Sequence, residues 1–218
     1  MKKYLYQNSL SIVFLLFFVG SLGGQIICGI KEYNKELIEQ GVVPVNMGQY
    51  LISGHFIEAT FENWESEFLQ MGLFVWLTIF LRQKGSSESK AIEGEEEVDR
   101  EPSSRRKNVP WPVKKGGVWL ALYKHSLTLS LLLLFLFSFA IHVHGSLKDE
   151  NLQNQIKGEK LEKLSDYLSS SRLWFESFQN WQSEFLSVFA IISLSIYLRQ
   201  IGSSQSKPVD APHDETGV

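Results

Sequence analysis

Hydrophobic residues in this chain fall into four blocks, with polar and charged residues gathered between them. A soluble core would instead show apolar positions recurring every two or 3.6 residues. The first block, residues 10–30, reads LSIVFLLFFVGSLGGQIICGI and carries no charge. As a helix, ~20 such residues cross the ~30 Å of a bilayer's hydrocarbon. The third block, residues 126–143, SLTLSLLLLFLFSFAIHV, is nearly as long. The second and fourth, FLQMGLFVWLTIFL at 68–81 and FLSVFAIISLSIYL at 185–198, are shorter and are closed by Arg82 and Arg199. Fourteen residues rise only about 21 Å, a length that a buried soluble helix also reaches. The residues just upstream argue for longer spans. FENWESEFL and FQNWQSEFL set Trp64 and Trp181 before the apolar runs, where an indole suits the headgroup layer. The pattern predicts four membrane helices at about 8–30, 62–82, 122–145 and 179–199.

An internal duplication supports that count. At an offset of 117 residues, residues 5–90 align without a gap on 122–207, and about 31 positions are identical. Matches include Tyr6 with Tyr123, Tyr50 with Tyr167, Asn63 with Asn180, Trp64 with Trp181, Glu67 with Glu184 and Arg82 with Arg199. The densest stretch is LRQKGSSESK against LRQIGSSQSK. Shared hydrophobicity does not by itself reproduce Asn, Trp, Glu, Arg and Gly at one register. Lys2, Lys3 and the apolar run after them resemble a secretory leader, but this block aligns with an internal one, which predicts a retained helix. Two spans per copy make both copies enter the membrane from the same side. The expected fold is therefore an all-α membrane protein, two tandem, parallel two-helix repeats about a pseudo-two-fold axis along the membrane normal. Residues 1–90 and 121–207 are the repeats, 91–120 a flexible linker and 208–218 a disordered tail.

Basic residues decide orientation. Lys2 and Lys3, ten Lys or Arg from Arg82 to Lys124, and Arg199 with Lys207 favour cytoplasmic termini and a cytoplasmic 83–121 connection. The outer loops, 31–61 and 146–178, mix bases with acids and carry aromatic, amphipathic stretches suited to lying on the outer leaflet. The bacterial plasma membrane is the expected location. The linker, GSSESKAIEGEEEVDREPSSRRKNVPWPVKKGG, is too polar to build a core. Its bases are expected near anionic headgroups.

With 24 acids, 21 bases and a net charge of −3, nothing favours a nucleic-acid partner. A single cysteine, Cys28, excludes an intrachain disulfide and a cysteine-based zinc site. His142 and His144, two apart on a helix, lie on different faces, and no metal or cofactor is expected. No Walker loop, dinucleotide fingerprint, metalloprotease motif or nucleophile elbow is present, so no catalytic residue is assigned. The polar candidates lie on the second and fourth spans. Glu67, Gln70, Thr78 and Arg82 share a face, as do Glu184, Ser187, Ser195 and Arg199. Glu67 and Glu184, with Asn63 and Asn180, can be read as a paired-carboxylate site for a proton or cation near the pseudo-axis, or as interface groups at helix N-termini. Trp64, Trp181, Arg82 and Arg199 are read as membrane-interface anchors. Gly20, Gly23, Gly24 and Gly29 are candidates for close helix packing.

At Gly48 to Leu51, Ser53 to Trp64, Glu67 to Met71 and Leu81 to Ser86, the chain resembles an uncharacterised family of bacterial membrane proteins, described only as a domain of unknown function. The resemblance extends over nearly the whole chain and implies a bacterial multi-pass membrane protein, but it brings no activity, substrate or catalytic residue. The second copy departs from the pattern with Arg172-Leu173-Trp174 where the first has His55-Phe56-Ile57. Two functions are carried forward: a non-catalytic membrane protein that packs with itself or a membrane partner, and an oligomeric small transporter or channel using the paired carboxylates. A membrane enzyme has no motif in its favour, although His55, Glu58 and Glu62 around one cavity would raise that reading.

Overall fold

A computed structural model describes residues 2–217. Among them all regular structure is helical: α1 (Lys2–Gln7), α2 (Ser9–Glu39), α3 (Met47–Leu51), α4 (Gly54–Leu77), α5 (Trp111–Lys115), α6 (Gly117–Lys124), α7 (Ser126–Lys157), α8 (Leu164–Tyr167) and α9 (Ser171–Tyr197). A single 3-10 turn lies at Glu97–Asp99. The local signals explain these bounds. Asn46 and Gln49 form a reciprocal capping box at α3. Ser53 accepts from Phe56 N at 3.2 Å to start α4, and Ser170 accepts from Leu173 N at 3.3 Å to start α9.

Two helices, α2 and α7, are long and apolar enough to cross a bilayer. α4 and α9 have 24 and 27 residues, about 36 and 40 Å of rise. Their first fourteen residues carry Glu58, Glu62, Glu65 and Glu67, or Arg172, Glu176 and Glu184, and only the remainder is free of charge.

The elements recur at the sequence offset. Adding 117 to the starts of α2, α3 and α4 gives 126, 164 and 171, the starts of α7, α8 and α9. Individual bonds recur as well. Asn34 clamps Val45 through Nδ2→O at 2.9 Å and N→Oδ1 at 2.7 Å, and Asn151 clamps Glu162 in the same way at 3.1 and 2.7 Å. Gln83 N donates to Ser89 Oγ and Gln200 N to Ser206 Oγ, both at 2.9 Å.

The chain divides into two units. The first comprises residues up to Phe61 with Ala140–Leu173. Its core is Tyr33, Leu37 and Tyr50, flanked by Ile30, Val42, Val45, Phe56 and Leu152. Here α4 and α7 approach to backbone contact. A Cβ on Gly145 would meet Glu58 N at 2.7 Å and Ile57 Cγ2 at 2.6 Å, and one on Gly54 would meet Gly145 O at 2.7 Å and Asp149 N. The close-packing glycines are therefore Gly54 and Gly145, with Gly29 against the Tyr50 hydroxyl. Gly20, Gly23 and Gly24 have no heavy atom within 4 Å of such a Cβ, and Cys28 is exposed.

The second unit comprises Glu62–Phe139 with Trp174 onward. The segments expected to be a linker and a tail carry specific contacts. Lys115 Nζ stands 4.8 and 4.7 Å from the Trp111 and Trp119 rings, and Lys90 pairs with Asp99 at 2.5 Å. In the tail, Lys207 is only 2% exposed. Its ammonium donates to the carbonyls of Pro212 (3.1 Å), His213 (3.2 Å) and Glu215 (2.7 Å), using all three protons. Gly85 N donates to Thr216 Oγ1 at 2.8 Å and Gly217 N to Ser86 O at 3.1 Å.

Burial is inverted relative to a soluble protein. Glu65, Ser66, Ser86, Ser138, His142, Ser146 and Ser177 are fully buried, while Phe14, Phe17, Leu133, Phe137, Leu186 and Phe189 are exposed.

Because Gly145 faces backbone, Gly145→Ala is expected to lower the melting temperature of the detergent-solubilised protein, at a cost of about 1–3 kcal/mol. Gly23→Ala, facing open space, is expected to leave it within error. Differential scanning fluorimetry on both variants checks the contrast.

Candidate functional site

In the first unit the two halves of the duplication converge on one carboxylate. Residue 172 is the copy of residue 55 at the 117 offset, and both face Asp149, whose ionisation is influenced by Arg172 and His55. Arg172 opens α9 and His55 opens α4, so each enters on a first helical turn. Arg172 Nη2 donates to Glu58 Oε1 at 3.0 Å and to Asp149 Oδ2 at 3.4 Å, and its Nη1 donates to Glu150 Oε2. Three carboxylates thus share one guanidinium. The Glu58 and Asp149 side chains are 13% and 9% exposed.

Burial pushes the Asp149 carboxyl above its usual range, against the pull of Arg172 and His55. Asp149 Oδ1 and His55 Nδ1 are buried without a hydrogen-bond partner. The imidazole stacks among aromatic rings, 4.9 Å from Tyr33 and 6.1 Å from Tyr50. Tyr33 is pushed up by burial and then by the Asp149 charge, so its phenol stays protonated. Chemically, the cluster can hold a proton: a desolvated carboxyl sits between a permanent cation and a titratable ring.

In the second unit a polar layer ties α4 to α9. Asn180 Nδ2 donates to Glu62 Oε1 at 2.8 Å and to Glu176 O at 3.1 Å. The Glu62 and Glu176 carboxylates have oxygens within 4.8 Å of each other. Trp181 Nε1 donates to the fully buried Glu65 at 3.3 Å. The Trp181 ring lies edge-on to Phe178 at 5.5 Å, Phe135 at 6.3 Å and Trp174 at 6.5 Å.

The residues expected from sequence are distributed as follows. Asn180 and Trp181 are in this layer. Asn63 is exposed on α4 and Trp64 half-buried. Glu67 is exposed and Glu184 half-buried, and the Glu67 charge reaches Glu184. The acids brought into hydrogen-bonded contact are instead Glu62 and Glu65 on α4, with Glu58 on the same helix pairing with Arg172. Arg82 and Arg199 cap their own helices. Arg82 Nη1 donates to the carbonyls of Thr78, Ile79 and Leu81, and Arg199 Nη1 to those of Ser195, Ile196 and Leu198.

Repetition favoured Glu67 and Glu184 because both copies hold an acid there. The engaged acids align with different residue types: Glu62 with Gln179, Glu65 with Gln182 and Glu58 with Phe175. The signal that marks them is the opposite one, a polar or charged exchange between copies on the same helical face.

The chain belongs to the family described as a domain of unknown function (DUF6766), whose model matches residues 1–218. Neither the curated proteins nor the solved structures contain a match.

Arg172→Met leaves three acids without their cation and is expected to cost about 3 kcal/mol of stability. Asp149→Asn added to it is expected to recover part of that loss. The sign of the pH effect follows from the raised Asp149 pKa: the burden of its charge is present above that pKa and relieved as pH falls through it. The Arg172→Met deficit is therefore expected to shrink as the pH is lowered from neutral. Melting curves of the two variants at a series of pH values check this.

Proposed function

We propose that this is a four-span integral membrane protein with both termini cytoplasmic, built from two tandem helix hairpins, that acts without catalysis by packing against a second copy or a membrane partner. The observation that carries the reading is the inverted burial: serines, a glutamate and a histidine inside, phenylalanines and leucines outside. An apolar surface of that kind in water marks an interaction face or an aggregation hazard. In a bilayer it is the ordinary exterior. The 117-residue recurrence of helix starts and side-chain clamps supports the duplicated hairpin.

For the non-catalytic part, the support is how the polar groups are used. Glu58, Asp149 and Glu150 hold Arg172, Glu62 holds Asn180, and Glu65 holds Trp181. These bonds tie helices together. In addition, no residue in the apolar window of α2 is buried against the chain, which leaves that helix free to meet another.

Cys28 is the chain's single cysteine and lies exposed on α2. Oxidation of native membranes is therefore expected to give a dimer through Cys28 if α2 meets α2, and lysine-directed crosslinking a larger discrete complex if it meets a partner. Persistence as a monomer under both reagents would contradict the packing reading. Tags on the two ends are expected to report the same, cytoplasmic compartment.

A second reading, a proton or cation pathway, is favoured by the closeness of Glu62 to Glu176 and by the influence of Glu67 on Glu184. In reconstituted vesicles it requires a flux that the double variant Glu67→Gln, Glu184→Gln reduces at least tenfold, about 1.4 kcal/mol in barrier. An unchanged flux removes these two acids from any pathway.

A further inference from the structure

The second unit contains an apolar groove between α4 and α9 with a cavity volume of about 530 Å³, within the range of small-ligand sites. Leu73 and Leu77 from α4 and Phe185, Val188 and Ile192 from α9 line its length, and Arg82 and Glu88 stand at one end. Comparison of the two arginines that close these helices shows what the groove lacks. Each uses Nη1 to cap its own helix in the same way. Arg199 then spends its other edge on the chain's own tail: Nε donates to Pro208 O at 3.2 Å and Nη2 to Ala211 O at 3.1 Å. The corresponding edge of Arg82 has no such acceptor among the described residues. Residues 91 and 94, which align with 208 and 211, do not supply one. The Nε–Nη2 edge is a two-pronged donor that matches two oxygens of a phosphate.

We propose that this groove binds one anionic glycerophospholipid, with its phosphate on the open edge of Arg82 and an acyl chain along the α4–α9 groove. The phosphate oxygens take the place that the Pro208 and Ala211 carbonyls fill in the other copy. Glu88, pushed up by partial burial and accepting from Ser87 Oγ at 3.5 Å, accepts from a hydroxyl of the headgroup. That arrangement suits a phosphoglycerol and disfavours a bare phosphate monoester. Asp99, whose carboxyl feels the Arg82 charge, is already committed to Lys90. The charged end belongs at the depth of headgroups and the apolar length at the depth of acyl chains, so the proposal rests on the reading of α4 and α9 as membrane spans.

The test uses the full chain purified in a mild detergent and native mass spectrometry with added phosphatidylglycerol or phosphatidylcholine. The wild type is expected to retain one phosphatidylglycerol per chain, and phosphatidylcholine, which has the same phosphodiester but no headgroup hydroxyl to donate to Glu88, about tenfold less, as one lost charge-assisted bond implies. Arg82→Gln, which removes the phosphate contact both lipids use, and Val188→Trp, which fills the groove, are each expected to lose retention of both lipids. Arg199→Gln, at the same position in the other copy, is expected to keep it. Circular dichroism of each variant separates lost binding from lost fold. Equal retention of the two lipids by the wild type, or undiminished phosphatidylglycerol on a folded Arg82→Gln, would overturn the site. If the protein instead proves extractable without detergent, the membrane reading itself has failed; a detergent-requiring protein with no lipid preference sinks this site alone.

Discussion

The structure depends on where its polar groups can go. On the proposed membrane reading, a helix that shows leucine and phenylalanine to its surroundings gains nothing by hiding more of them, because lipid tails are as apolar as leucine. Its association rests on packing and on hydrogen bonds between helices. Among the fully buried polar groups, Glu65 accepts from Trp181 in the second unit and Ser146 bonds the Tyr167 hydroxyl in the first. Small serines and glycines allow helices to come close, as at Gly54 and Gly145, where the approach reaches backbone. Carboxylates then need partners, and the partners come from other helices: Arg172 for Asp149, Asn180 for Glu62 and Trp181 for Glu65.

Much of this recurs at the 117-residue offset, and departures from that offset account for the rest. The helix starts, the Asn34 and Asn151 clamps, the arginine caps and the Gln-to-Ser turns are alike across it. Where the copies have diverged, they complement each other. His55 and Arg172 occupy one ancestral position and serve the same Asp149. Arg82 and Arg199 occupy another, but the chain's own tail reaches only Arg199. Chemistry therefore concentrates at positions where one copy has changed its residue or its surroundings.

That pattern also marks how far the sequence could be read. The apolar blocks of α2 and α7, and the 117-residue register, were legible because hydrophobicity and repetition are carried by many residues at once. Asn180 and Trp181 were legible through repetition. Glu62, Glu65 and Asp149 were not, because a carboxylate looks the same in a sequence whether it points to water or to a partner on another helix. The stripe of Gly20, Gly23 and Gly24 looked like a packing surface, but a glycine shows only that a neighbour is permitted. The contacts of Lys207 with three carbonyls are a geometry that composition does not encode.

The central claim is that the leucine and phenylalanine surface faces lipid. Spin labels at Leu133 and Phe189 in vesicle-reconstituted protein test it most directly, through collision with oxygen, which dissolves in hydrocarbon, and with a water-soluble nickel chelate, which does not. The account predicts strong collision with oxygen and almost none with nickel at both positions. Free access of nickel to either label would contradict it.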